Sequence, residues 1–317
     1  MGPDPAVAAV RLAVRRTGLA PGTVLVACSG GADSLALLAA TVFESRAAGW
    51  YVVGATVDHG LQAGSAEQAA RVVEQMAALG AHETFSVRVS VEGAGRGIEA
   101  AAREARYAVL DETAQRVGAT AVLLGHTLDD QAETVLMGLT RGSGGRSMAG
   151  MRRSFDRYRR PLLDLTRAHT EAACRAEGIQ WWTDPQNSDP RFLRARVRHT
   201  VLPLLEQELG PGVAETLART AEQLRADTEA LDDLAAKASA DLSLDALAAL
   251  PSAVRTRVLR IAALSAGAPG DELFFVHVQA LDDLVRRALQ GEVQLPGRLT
   301  AFRQGDTLKF RPTPVSG

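Results

Sequence analysis

The chain has 317 residues, enough for two domains, and its 46% hydrophobic and 23% charged content is that of an ordinary globular protein with a sizeable core. A net charge of −2 and a pI near 6.3 exclude a globally basic nucleic-acid binder, so any such surface has to come from local clustering. Cys28 and Cys174, the only two cysteines, lie far apart and form no Cys-x-x-Cys pair, so neither a zinc cluster nor a redox motif is indicated, while the absence of a leader-like start or of any apolar run near ~18 residues predicts a cytoplasmic protein without a membrane partner.

A short amphipathic helix is predicted over Val7–Thr17, ended by Gly18 and Pro21. Val24 to Cys28 then reads as a buried strand that breaks at Ser29-Gly30-Gly31 and turns helical from Ala32 to Arg46. Two glycines let the backbone turn tightly and approach an anion, and the following helix aims unpaired N–H groups and the positive end of its dipole at the same point. Ser29 and Ser34 add hydroxyl donors. Asp33 is the odd member, because a carboxylate beside bound phosphates is repelled unless a divalent cation lies between them. No lysine stands in the loop, which separates it from a Walker A loop, and the Gly-x-Gly-x-x-Gly spacing of dinucleotide binding is absent.

Strand and helix keep alternating: strand Tyr51–Asp58, helix Ala66–Leu79, strand Glu83–Val89, helix Ile98–Val117, strand Ala121–Gly125. This pattern predicts a parallel sheet with helices on both faces and a ligand site at the carboxyl ends of the strands. Asp58 and His59 fall at that edge, as nucleotide contacts or as a polar turn. On the fourth helix Arg103 and Tyr107 are four apart and share a face, with Arg106 beside them. The next strand ends in Gly125-His126-Thr127-Leu128-Asp129-Asp130-Gln131-Ala132-Glu133-Thr134. Thr127 with Asp130 is a helix-capping pattern, and Asp130 with Glu133, three apart, sets an acidic patch on one helix face.

From Arg141 to Arg160 seven arginines (141, 146, 152, 153, 157, 159 and 160) stand with four glycines and one acid, Asp156. A basic, flexible loop is predicted, its guanidinium forks suited to the phosphate backbone of RNA. Lysine is scarce throughout, only Lys237 and Lys309 being present. A helix over Arg167–Glu177 follows, then Trp181-Trp182-Thr183-Asp184-Pro185-Gln186-Asn187, then a helix carrying Arg191, Arg194, Arg196 and Arg198 and capped by Pro203. A long helix, Val213–Ser239, leads to helices near Leu244–Ala249, Ser252–Ser265 and Phe275–Ala288. Three short strands, Glu292–Leu295, Leu299–Arg303 and Thr307–Arg311, close the chain through Pro296-Gly297 and Gly305-Asp306 turns.

Four of these stretches, taken in order, carry a resemblance. Ser29-Gly30-Gly31-Ala32-Asp33-Ser34 resembles the Ser-Gly-Gly-x-Asp-Ser signature of the PP-loop ATP pyrophosphatases, which cleave ATP between the α and β phosphates and adenylate a carbonyl oxygen. Val57-Asp58-His59-Gly60-Leu61, the Gly125–Thr134 stretch, and Asp184, Asn187, Arg194, Arg198 and Pro203 are similar to the further motifs of the tRNA(Ile)-lysidine synthetase family, with Gln186 and Ala195 as departures from a Ser and an Asn.

The resemblance implies an α/β fold: a parallel-sheet, Rossmann-like adenine-nucleotide α-hydrolase-like catalytic domain over residues 1–208, a helical linker over 209–239 and a small α+β tRNA-binding domain over 240–317. It implies catalytic roles for Asp33, His126, Asp130, Glu133 and Arg194. ATP contacts are implied for Ser29, Gly30, Gly31, Asp33, Ser34, Asp58, His59, Gly125 and His126, with Mg²⁺ at Asp33. Asp130 and Glu133 become the site for substrate lysine, because they share a face away from the phosphate loop. Arg103, Arg106, Arg141, Arg152, Arg153, Arg159, Arg160 and Arg198 become tRNA contacts. The implied reaction adenylates C2–O of the wobble cytidine of tRNA(Ile) with a CAU anticodon, then lets the ε-amine of free L-lysine displace AMP. A nearby carboxylate or His126 takes the amine's proton, and a homodimer is left open. The rivals are another PP-loop tRNA-modifying enzyme, a thiolase or amidotransferase type, which would need paired cysteines or a glutaminase domain, and a non-catalytic nucleotide-binding regulator.

Overall fold

The computed structural model describes residues 2–58, 60, 64–89, 98–140, 144–286 and 291–314. Its elements are α1 (Pro5–Arg15), β1 (Gly22–Ala27), α2 (Ala32–Ala48), β2 (Trp50–Asp58), α3 (Ser65–Ala78), β3 (Glu83–Arg88), α4 (Ile98–Arg116), β4 (Ala119–Leu124), α5 (Leu128–Leu139), α6 (Gly145–Met148), β5 (Ser154–Phe155), β6 (Tyr158–Arg159) and α7 (Arg167–Ala176). There follow α8 (Leu193–Arg196), α9 (Leu202–Leu209), α10 (Val213–Ala238), α11 (Leu244–Ala249), α12 (Ser252–Ser265), α13 (Phe275–Arg286), β7 (Glu292–Leu295), β8 (Leu299–Gln304) and β9 (Thr307–Pro312). They form two compact units, Met1–Met137 with Gly150–Ala218, and Gly138–Ala149 with Arg219–Gly317. The division therefore falls inside α10, where a separate linker over 209–239 was expected. That helix is not bare: Ala214 and Leu217 pack on Leu128 and Ala132 in the first unit, and Ala235 belongs to the core of the second.

The first unit is built on a six-stranded sheet of order β3-β2-β1-β4-β6-β5, parallel except for β5. β1 takes the centre because it is apolar on both faces. Val24 and Val26 join Leu35, Leu38 and Cys174 on one side, and Leu25 and Ala27 join Leu110 and Ala114 on the other. Val24, Leu25 and Val26 have no exposed surface, and burying each such side chain contributes about 1.5–3 kcal/mol. A strand of this kind is stable only with helices on both faces. The chain leaves β1 for β2 and β3 on one side and returns to β4 on the other, so the carboxyl ends of β1 and β4 open the crevice in which such sheets hold ligands.

Two expectations are corrected here. The arginine stretch is not simply a flexible loop, because β5 and β6 form a hairpin whose second strand pairs with β4, Tyr158 opposite Val122. Phe155 and Tyr158 stack at 4.8 Å and bury an aromatic anchor among the arginines, which composition alone had hidden. Nor does Pro203 end its helix. Residues Val197–Val201 form a π turn in which the Leu202 N–H donates to the Val197 carbonyl five residues back, and α9 runs on through Pro203 to Leu209. The wider turn accommodates a residue that has no N–H and crowds the preceding turn.

In the second unit α11, α12 and α13 pack on the antiparallel sheet β7-β8-β9 through Leu247, Val258, Leu259, Leu281 and Ala301. Among the described residues no helix is long and apolar enough to cross a membrane.

Candidate active site

The turn after β1 is shaped by close contacts rather than by flexibility. Gly30 has φ +82°, and a Cβ there would lie 2.6 Å from Cγ2 of Val72, so both conformation and space require glycine. Gly125, at the end of β4, would place a Cβ 3.1 Å from the backbone of Asp33 and Ser34, so the β4 terminus sits directly against the start of α2. The Ser34 hydroxyl donates to the Gly31 carbonyl at 2.9 Å and accepts from the Ser29 N–H at 3.1 Å. It braces the loop, and the donor role expected for it toward a ligand is already used; Ser29 is the exposed hydroxyl. The Trp182 N–H donates to the Gly30 carbonyl at 2.9 Å, tying the segment after α7 over the turn.

Two cavities open at this edge. The larger, of about 740 Å³, lies at the ends of β1 and β2 and is lined by Ser29, Thr56, Asp58, Gln68, Arg71, Arg106 and Trp182 among others. The smaller, of about 330 Å³, lies at the β1/β4 crevice and is lined by Ser29, Gly31, Asp33, Gly125, His126, Arg167, Glu171, Arg198 and again Arg106 and Trp182. Asp58 accepts from the Gly60 N–H at 2.9 Å and lies 3.8 Å from Arg88. His59, expected beside it, lies outside the described residues, as does Arg141. Burial lowers the pKa of the Arg106 guanidinium, and no carboxylate lies in ion-pair range of it among the described residues. It lines both cavities.

Behind the smaller cavity lies a layer of acids held by arginines. Glu133 has no exposed side-chain surface; Arg194 Nε reaches it at 2.9 Å and Arg198 Nε at 2.6 Å, with Arg167 at 3.8 Å. Asp130 accepts from the Thr127 N–H at 2.9 Å and hydroxyl at 3.1 Å, the capping pattern read from the sequence, and its other oxygen meets Arg198 at 3.1 Å and Arg167 at 3.3 Å. Burial by itself would raise the Asp130 carboxyl, but Arg167 and Arg194 outweigh it and hold the group below its ordinary value. Asp33 is different. It accepts a short hydrogen bond from the Thr170 hydroxyl and has Arg167 at 3.6 Å, yet burial dominates and pushes its pKa up to about 6.

The geometry places the other expected residues as follows. All four oxygens of Asp130 and Glu133 are engaged by neighbouring donors, and neither residue is among those lining the two cavities. Arg198 pairs with those two acids while lining the smaller cavity, and Arg160 is 5% exposed. Arg194 sits in the same backing layer, and Arg106 faces the cavities rather than an outer surface. Arg103, Arg152 and Arg153 are exposed and Arg159 is partly so; Arg153 makes a two-pronged bridge to Asp164 at 2.6 and 2.7 Å.

Sequence reasoning missed Arg167, Thr170 and Glu171, all on α7, and Trp182. An amphipathic helix carries no motif, so α7 reads as packing. The one available cue was Asp129, an acid left over once Thr127 and Asp130 cap α5; its carboxylate accepts from the Arg167 N–H at 2.7 Å and so sets the start of α7 against α5.

A central parallel sheet, a Gly-Gly turn at a helix start and a cation-lined crevice at the strand switch point define a PP-loop nucleotide-binding protein, and residues 10–205 match the family described as the PP-loop domain. Residues 242–308 match the TilS substrate binding domain. A tRNA(Ile)-lysidine synthase of Streptomyces coelicolor is 49% identical over 98% of this chain and 99% of its own, and one of Thermobifida fusca is 53% identical over 93% and 94%. The chain belongs to the tRNA(Ile)-lysidine synthase family. Among solved structures, a U34-tRNA thiolase of Methanococcus maripaludis, which holds a [4Fe-4S] cluster, superposes with a TM-score of 0.58 over 69% of this chain and 77% of its own. At 17% identity that likeness is one of fold.

Proposed function

We propose that this protein uses ATP to join free L-lysine to C2 of the wobble cytidine of tRNA(Ile) bearing a CAU anticodon. The cytidine O2 attacks the α-phosphorus, pyrophosphate leaves, and the base carries an adenylate. The lysine ε-amine then attacks C2, its proton passes to a base, and AMP leaves with the oxygen. Activation is required because a carbonyl oxygen is a poor leaving group until it is phosphorylated. The observation that carries this reading is the β1/β4 crevice, where a phosphate-type turn, the carboxylate of Asp33 and the guanidinium groups of Arg106, Arg167 and Arg198 line one cavity. Relatives sharing about half of their residues along nearly the full chain support the choice of substrate.

In this reading Ser29, Gly30, Gly31, Gly125 and Arg106 receive the phosphates, Asp58 borders the adenosine end in the larger cavity, and His59 is an ATP contact by its place in the sequence motif alone. Asp33 fits Mg²⁺, since that ion needs only one or two carboxylates when phosphates and water complete its shell, and Asp33 is a cavity-lining acid at the helix start. The ion would supply charge neutralisation for the departing pyrophosphate. Asp130, Glu133 and Arg194 hold Arg167 and Arg198 at the cavity wall. Arg103, Arg152, Arg153 and Arg159 supply exposed cations for tRNA, the enzyme works in the cytoplasm, and a homodimer is compatible with the reading.

Pyrophosphate release should be measured with ATP, CAU-anticodon tRNA and lysine, each omitted in turn. Release should require ATP and tRNA, and lysine should convert the adenylate to product. Release that ignores the tRNA, or none with all three present, overturns the reading.

A further inference from the structure

His126 closes β4 at the smaller cavity, and its surroundings decide what its ring can do there. The groups that face it are Asp130 on α5, Arg106 on α4, Arg160 after β6 and Arg194 on α8. Arg160 Nε donates to His126 Nδ1 at 3.2 Å. A guanidinium has five N–H donors and no acceptor, so Nδ1 must be the unprotonated nitrogen. In a neutral imidazole the proton then sits on Nε2. Nε2 has no hydrogen-bond partner among the described residues, and His126 lines the cavity with Asp33, Arg106, Arg167 and Arg198.

Arg160 is itself held in place. It is 5% exposed, its Nη1 donates to the Arg152 carbonyl, its Nη2 donates to the Tyr107 hydroxyl at 3.2 Å, and its guanidinium lies 4.8 Å over the Phe155 ring. The β5–β6 hairpin and α4 thus fix the donor that fixes the imidazole. Among the described residues no carboxylate pairs with Arg160; burial drives His126 down to about 3 against the pull of Asp130, and the charges of Arg106, Arg160 and Arg194 act in the same sense as burial.

We infer that Arg160 is a positioning residue that locks His126 as the neutral Nε2–H tautomer, making it a hydrogen-bond donor to an anionic phosphoryl oxygen in the cavity and not the acceptor of the lysine proton. The inference rests on the reaction proposed above for its substrate, although the tautomer itself does not. A neutral imidazole with a blocked Nδ1 has no site for a further proton except by breaking the Arg160 bond. Proton acceptance therefore falls to a group other than His126.

The tautomer is read directly by proton–nitrogen correlation of the imidazole rings, with the His126 signals assigned by their loss in His126→Gln. The wild-type protein should show the Nε2–H pattern unchanged from about pH 6 to about pH 8. Arg160→Met, which keeps an apolar contact with Phe155, should show mixed tautomers and a ring that begins to titrate. Its kcat for pyrophosphate release should fall at least ~10-fold, with KM for ATP changed less than ~2-fold. Arg160→Lys, still a donor, should recover part of the loss. Should Arg160→Met fail to fold, Tyr107→Phe removes one anchor of Arg160 and should shift the tautomer ratio in the same direction. An Nδ1–H pattern or a titrating ring in the wild type overturns the inference. So does an Arg160→Met protein that keeps the wild-type tautomer, or one whose loss lies wholly in KM for tRNA. Absent pyrophosphate release with an intact Nε2–H pattern would instead remove the proposed reaction.

Discussion

In the second unit Arg255 donates to Asp282 at 2.5 Å, both side chains are 6% exposed, and Arg255 Nη1 donates to the Leu250 carbonyl at 2.7 Å. In the first unit Asp130 and Glu133 face three arginines, 167, 194 and 198, and two of those arginines also line a cavity. The first group is a closed buried pair, and its one further cation, Arg286 at 3.8 Å from Asp282, has a side chain 60% exposed that meets water and not a cavity. The second has a cation in excess, with only Asp33 at 3.6 Å from Arg167 to offset it, and Arg106 adds another without an ion pair among the described residues. Burial of a charge is costly in both, so what differs is where the surplus goes. A closed pair orders a core, whereas a surplus of guanidinium charge facing an open cavity calls for an anion such as a triphosphate.

The largest effect should come from breaking either group by one partner. Glu133→Ala and Asp282→Ala each leave buried guanidinium charge uncompensated, and each should lower unfolding stability by about 3–5 kcal/mol, read as a shift in denaturant midpoint. The comparison predicts that they part when the whole group is replaced. Arg255→Met with Asp282→Leu should recover stability to within ~1 kcal/mol of wild type and keep pyrophosphate release. Asp130→Leu with Glu133→Leu and Arg198→Met should abolish release even where the protein stays folded. An active triple variant would reduce the cluster to a packing device.

This contrast also marks how far the sequence carries. The loop at Ser29 to Ser34 and the strand-end position of Gly125 and His126 were legible because a local chemical need, an anion at a helix start, is written in adjacent residues. Asp130 and Glu133 were legible as a pair on one face, but not as the property of Arg194 and Arg198, more than 60 residues away. An isolated reading shows such acids without the arginines that hold them. Partners that meet only through tertiary packing, with Arg167 and Thr170 on an unremarked helix, have no spacing to betray them. The hairpin was concealed in the same way, since Phe155 and Tyr158 are two aromatics among seven arginines.

Asp33 offers a smaller, graded test. Burial holds its pKa near 6 in the folded chain against 3.8 for the free group, so the folded protein keeps a proton that the unfolded chain has already released. Stability should therefore fall as pH rises from about 3.8 to about 6, by at most about 3 kcal/mol, and stay lower above that window. Asp33→Asn can still accept from Thr170 and should remove this slope. Without Mg²⁺ and nucleotide, it should match wild type near pH 4 and be the more stable protein at pH 7, while releasing at least ~100-fold less pyrophosphate. Equal slopes in urea unfolding for the two proteins would show that Asp33 is not held in a desolvated state.

The smallest effect belongs to arginines at the opposite extreme from both buried groups. Arg153 bridges Asp164 with side chains 48% and 67% exposed, and water screens such a pair so well that Arg153→Ala should change stability by less than ~1 kcal/mol. What exposed arginines retain is charge available to a polyanion. Replacing Arg152, Arg153 and Arg159 together by glutamine should weaken tRNA binding and flatten its log–log dependence on salt by about one unit for each phosphate left without its arginine, with ATP affinity unchanged. Arg160→Met, although its neighbour in sequence, should leave that slope alone, because its guanidinium is committed to His126, Tyr107 and the Arg152 carbonyl. A slope that moves with Arg160 and not with the other three would reverse the division between arginines that meet RNA and arginines that shape the site.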